Sequence, residues 1–166
     1  MNAFLKVVIY ISTIIGGTAA ALAAPTVYIP LGSGNQVVAV DAATDRIINS
    51  YLGVDNPHGL VATPDGEYIV AGSMLENPPA PEHVVLSADE KILYTLNPRA
   101  GTVSAVSAAT GKISQTYKIG ANLHGLELGD DGRTLFISSV TENKLVTLDT
   151  STGAQRVLAL SPAPIT

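Results

Sequence analysis

The sequence predicts an all-β fold built from repeated four-stranded antiparallel blades. Three observations predict it: an ungapped self-similarity with a step of 42 residues, tight-turn signals between short β-rich runs, and a composition with 5% aromatics and no tryptophan. The segments starting at Val27, Leu93 and Leu135 align without a gap, and Tyr28 to Val70 and Tyr94 to Phe136 each span one 42-residue step. A period of that size is the signature of a stacked repeat. Small β-branched and aliphatic residues suit flat, stacked sheets better than a large aromatic-lined pocket.

The elements of the repeat follow in order. A β-rich run opens each unit, Val27-Tyr28-Ile29, Leu93-Tyr94-Thr95 and Leu135-Phe136-Ile137. Seven residues after the aromatic comes a turn pair, Gly34-Asn35, Ala100-Gly101 or Glu142-Asn143, and then a second run, Val37 to Val40, Val103 to Val106 and Leu145 to Leu148. Asp41, Ser107 and Asp149 head the next turn, as Asp-Ala-Ala-Thr-Asp, Ser-Ala-Ala-Thr-Gly and Asp-Thr-Ser-Thr-Gly. An Asp or Ser side chain there bonds backbone amides two or three positions on, and Gly supplies the positive φ that closes the hairpin. Strands at Arg46 to Leu52, Lys112 to Ile119 and Gln155 to Leu160 follow. Two units add Pro57-His58-Gly59-Leu60 with Pro64-Asp65-Gly66, and Leu123-His124-Gly125-Leu126 with Asp130-Asp131-Gly132, where Asp-Gly between extended runs marks another hairpin. Four strands per step, joined by tight turns, make one blade of a β-propeller.

The pattern breaks in the second unit. From Val70 to Tyr94 the step is 24 residues, 18 fewer than the repeat requires, and Pro78, Pro79 and Pro81 there cannot donate to a central ladder. This unit is expected to keep two inner strands and to replace the outer pair with a proline-rich connection. The first unit begins at its second strand and the last stops after its fourth, so the ring counts about three and a half blades, against the four to eight of closed propellers. Three readings follow: the sequence is part of a longer propeller, copies self-associate to complete the ring, or the array is an open arc. The lack of terminal caps favours the first.

At these residues the chain resembles the YVTN-type β-propeller repeat family, whose units read aromatic strand, Gly-Asn turn, Val-rich strand, Asp-x-x-Thr-Gly turn, strand, Pro-x-Gly, strand, Pro-Asp-Gly. The resemblance covers nearly all of residues 26–160. It implies the propeller fold, and it is shared by surface-layer proteins, periplasmic binding or sensor propellers and the propeller domains of redox enzymes.

The N-terminus has the layout of an export signal: Lys6, an apolar run from Val7 to Ile15, and small residues ending Ala21-Leu22-Ala23-Ala24, with cleavage expected after Ala23. The expected organisation is a signal peptide over 1–23 and a partial propeller over 24–166, with units near 26–66, 67–91 (shortened), 92–133 and 134–160. The destination is periplasmic or extracellular. No second apolar span exists to hold the mature part in a bilayer. The net charge of −5 gives nothing that attracts a polyanion, so nucleic acid is not an expected partner. With no cysteine, disulfides, thiol catalysis and thiolate metal sites are excluded.

Candidate chemistry gathers at one repeat position. Counting back seven residues from Asp65, Asp89 and Asp131 reaches His58, Glu82 and His124, with His83 beside Glu82. The family resemblance implies that this position opens the innermost strand and faces the mouth of the central channel, a region where redox relatives hold haem or copper. A His-Glu-His set offers imidazole and carboxylate to a first-row metal, so copper, zinc or haem is the cofactor expectation on that reading. The structural alternative is that these polar groups bond loop backbone or channel water, and then no cofactor is expected. Other constellations point to turns: no Gly-x-Ser-x-Gly elbow presents a serine, Gly32-Ser33-Gly34-Asn35 joins two strands where a phosphate loop joins strand to helix, and Asp89-Glu90 and Asp130-Asp131 sit at hairpin tips. No catalytic residue is therefore assigned. The functional expectation is an exported, non-enzymatic binding or scaffold module for a protein or small ligand, the alternative being a redox-associated propeller domain holding a metal or haem at the mouth.

Overall fold

The computed structural model describes residues 10–11, 25–63, 66, 68–73 and 81–160. Apart from Tyr10 and Ile11, the expected signal peptide lies outside these residues, as does 74–80 of the proline-rich connection. The described residues are all-β, in four antiparallel sheets. A two-residue β1 (Tyr10–Ile11) is followed by β2 (Thr26–Leu31), β3 (Gln36–Asp41), β4 (Arg46–Leu52), β5 (Pro57–Ala62), β6 (Tyr68–Ser73) and β7 (His83–Leu86). Then come β8 (Ile92–Asn97), β9 (Thr102–Ser107), β10 (Ile113–Lys118), β11 (Leu123–Leu128), β12 (Thr134–Ser139), β13 (Lys144–Asp149) and β14 (Gln155–Ala159). No helix among the described residues is long and apolar enough to cross a membrane.

Each sheet is a blade or part of one. Blade 1 holds β2-β3-β4, blade 2 holds β5-β6 with β1 against β6, blade 3 runs β7-β8-β9-β10, and blade 4 runs β11-β12-β13-β14. Blade 2 thus has the two inner strands that the shortened unit predicts. The blades are staggered against the sequence units, since the inner strands β5, β7 and β11 of blades 2, 3 and 4 each come from the end of the preceding repeat.

The hairpins form for the reason their sequences give. Asp41 Oδ1 accepts the N–H groups of Ala43 and Thr44 at 2.8 and 3.0 Å, and Asp149 Oδ1 those of Ser151 and Thr152 at 2.9 and 3.1 Å. The N–H of Asp45, Gly111 and Gly153 closes each turn on the carbonyl of Asp41, Ser107 and Asp149. All three closing residues have φ between 55° and 75°, a region Gly enters freely and Asp tolerates.

Period-two alternation assigns the blade faces. In β8, Leu93 joins Val84 and Val106 in a core shared with Val70 of blade 2, whereas its neighbours Tyr94 and Leu96 turn the other way. With Val103 and Ala105 they pack on Leu135, Ile137, Val146 and Leu148 of blade 4, where those four residues are at most 1% exposed. One face of each blade therefore looks back to the preceding blade and the other looks forward. The inner strands β5, β7 and β11 floor a shared groove, a half-channel of about 620 Å³ reaching from His83 to Glu90 and Glu127.

Candidate functional site

The site is assembled where the three inner strands begin. β5 and β11 open with Pro57-His58-Gly59 and Leu123-His124-Gly125, and in both the ladder slips there. Pro57 opposes Ser73 and Leu60 opposes Ala71, while Leu123 opposes Ser139 and Leu126 opposes Ile137. One extra residue on the inner strand is a β-bulge, which bends the strand and re-aims the side chain it carries. β7 has no such slip, since His83 to Leu86 pair in step with Leu96 to Leu93.

Close backbone packing holds the cluster together. Gly59 donates its N–H to the Glu82 carbonyl at 2.9 Å, and a Cβ on Gly59 would stand 2.5 Å from that oxygen. Only glycine permits this approach. Glu82 in turn donates its own N–H to the Leu96 carbonyl at 2.9 Å, so blade 2 is stitched to blade 3 through the residue that carries the carboxylate. Beside His124, the Gly125 N–H donates to Ser138 Oγ at 2.9 Å.

The three imidazoles meet with His83 in the middle. Its ring centroid lies 5.4 Å from that of His58, edge-on at 70°, and 5.4 Å from that of His124 at 57°. Glu82 Oε1 stands 3.9 Å from His83 Nε2. Donor atoms of His58, Glu82 and His83 all fall within 4.8 Å of one another. His83 Nε2 is shielded from solvent and has no hydrogen-bond partner, an arrangement that costs roughly 1–3 kcal/mol for a neutral polar atom. Burial pushes the His83 imidazole below its ordinary range, Glu82 opposes that shift, and His58 and His124 reinforce it. A neutral imidazole offers a lone pair, which is the form a metal binds. Tetrahedral zinc, with Zn–N near 2.0–2.1 Å, needs donors about 3.3 Å apart, so side-chain rotation has to draw the set in.

Of the residues named by spacing, the structure brings His58, Glu82 and His83 into one donor set and lays His124 against His83. The repeat count makes Glu82 the equivalent of His58 and His124, with His83 only its neighbour. The bulges in β5 and β11, absent from β7, put His83 between the other two rings. Sequence reasoning passed over Glu127, which lines the half-channel. Its signal was a carboxylate at the repeat position filled by valine in the other inner strands, Val61 and Val85, all three facing the aromatic-register residue of the next strand.

No protein-family model matches the sequence, and no curated protein matches it. Solved structures do match in fold. A catalytically inactive histidine-to-alanine variant of virginiamycin B lyase from Staphylococcus aureus, solved with quinupristin, is 18% identical with a TM-score of 0.67 over 85% of this chain and 54% of that one. Hydrazine synthase of Kuenenia stuttgartiensis is 18% identical with a TM-score of 0.69, over 89% and 53%. A protein assigned as a 6-phosphogluconolactonase from Bacteroides uniformis is 18% identical with a TM-score of 0.65, over 89% and 58%. The chain spans about half the length of these structures. At this identity the likeness speaks to fold alone, and the fold it supports is a partial β-propeller of antiparallel blades.

Proposed function

We propose that the chain is an exported, non-enzymatic binding module whose channel mouth holds a first-row divalent ion, zinc or copper(II), on His58, Glu82 and His83, with His124 as a further imidazole. The observation that carries this reading is His83 Nε2, shielded from solvent, without a hydrogen-bond partner and set between two imidazoles and a carboxylate. Export is supported by the leader pattern, and the YVTN-type resemblance supports a place among surface or periplasmic propellers. A bare ion suits imidazoles packed 5.4 Å apart better than haem, which protein holds through one or two axial side chains. The soft-to-borderline nitrogen donors select zinc and copper over calcium or magnesium.

A second reading rests on the half-channel. Its volume of about 620 Å³ lies in the range of small-molecule sites, and Glu90 and Glu127 favour a cationic or hydroxyl-rich ligand.

Calorimetric titration of tag-free protein with zinc or copper(II) sulfate tests the first reading. One ion per chain is expected, with affinity reduced at least tenfold in a His58→Ala/His83→Ala double variant. Equal affinity in wild type and double variant would remove the metal site and leave the half-channel reading standing.

A further inference from the structure

The outer faces of blades 1 and 4 are complementary by the rules the inner blades already obey. Val27, Ile29, Val38 and Val40 are the repeat equivalents of Leu135, Ile137, Val146 and Leu148, the four residues that blade 4 buries against blade 3. They share one face of blade 1, where Val27 opposes Val40 and Ile29 opposes Val38. No preceding blade is described there, and Val27 and Ile29 are 47% and 39% exposed, although Val38 is buried. At the other end, Phe136, Ser138, Leu145 and Thr147 are the equivalents of Tyr94, Leu96, Val103 and Ala105, the face that blade 3 turns to blade 4. They too share a face, Phe136 opposing Thr147 and Ser138 opposing Leu145, with Phe136 37% exposed.

We infer that two copies of this chain close one ring head to tail, blade 1 of each packing on blade 4 of the other. The face geometry names the occupant, because the surface that fits blade 1 is the forward face of a blade, and blade 4 turns such a face to no other blade among the described residues. Two equivalent heterologous contacts related by a two-fold axis form a closed assembly with no open ends. Closure turns the half-channel into a full one with an imidazole cluster from each copy at its mouth.

Sedimentation equilibrium of the purified full chain tests the inference, with the mass of two chains expected. Ile29→Glu in blade 1 and Phe136→Glu or Leu145→Glu in blade 4 should each weaken association at least tenfold with the far-UV circular dichroism retained. Ile113→Glu, an exposed site on the outer strand of interior blade 3, should leave it unchanged. An equimolar mixture of the Ile29→Glu and Leu145→Glu chains should recover association, because one of the two contacts is then wild type on both sides. A folded monomer at all concentrations overturns the inference and leaves the faces to further blades or to the N-terminal segment. Sensitivity to the blade 1 change alone, or failure of the mixture to recover, overturns the head-to-tail arrangement.

Discussion

His83 shows what spacing alone conveys and what it leaves out. The recurrence of His58 and His124 at the same strand-opening position is legible, because a repeat position is a local property of the sequence. The centrality of His83 is not, because it depends on which inner strands carry a bulge, and a bulge is defined by the partner strand. Glycine at the next position was the readable trace of that geometry. Gly59→Ala puts a Cβ 2.5 Å from the Glu82 carbonyl, so it should cost about 1–3 kcal/mol in urea unfolding and weaken zinc binding as Glu82 is displaced. Gly34→Ala, whose Cβ meets nothing closer than 3.5 Å, is the tolerated control in the same two measurements.

The hairpins were the most legible elements, since Asp, Ser and Gly at fixed offsets act through hydrogen bonds within five residues. Their acids carry the imprint. Thr134, through its hydroxyl and then its N–H, with the Arg133 N–H, holds the Asp131 carboxyl down to about 2. The Ser87 hydroxyl lowers Asp89 and the Ser151 hydroxyl lowers Asp149. A folded pKa below the unfolded value of 3.8 means that the stabilisation is complete above pH 3.8 and is lost as pH falls towards about 2. Asp131→Asn should therefore lower the melting temperature near neutrality and flatten its decline between pH 4 and about 2 relative to wild type. The two inner strands of blade 2 follow from a different reason, since 18 missing residues leave too little chain between Val70 and Tyr94 for the outer pair of the repeat, whereas the pairing of β1 on β6 had no signal in the repeat.

The distribution of the core over the molecule could not be read from the repeat, which treats its units alike. The continuous clusters join blade 2 to blade 3 and blade 3 to blade 4, and no residue of blade 1 belongs to either. In a stacked array stability is a sum of units and nearest-neighbour interfaces, so protection should be graded. Hydrogen exchange should be slowest in β8, β9, β12 and β13 and fastest in β4 and β14, whose side chains are mostly exposed. Leu135→Ala, at 0% exposure between blades 3 and 4, should cost about 2–5 kcal/mol and speed exchange in both. The pairing of forward and backward blade faces also bears on inheritance. If blade 1 of one copy packs on blade 4 of another as inferred, the arc is closed under gene duplication. Joining two copies in tandem would make the contact between them intramolecular, replacing dependence on protein concentration with the effective concentration set by the linker. On that arrangement a duplicated array would make its new contact from surfaces each copy already carries, without a new surface having to be invented.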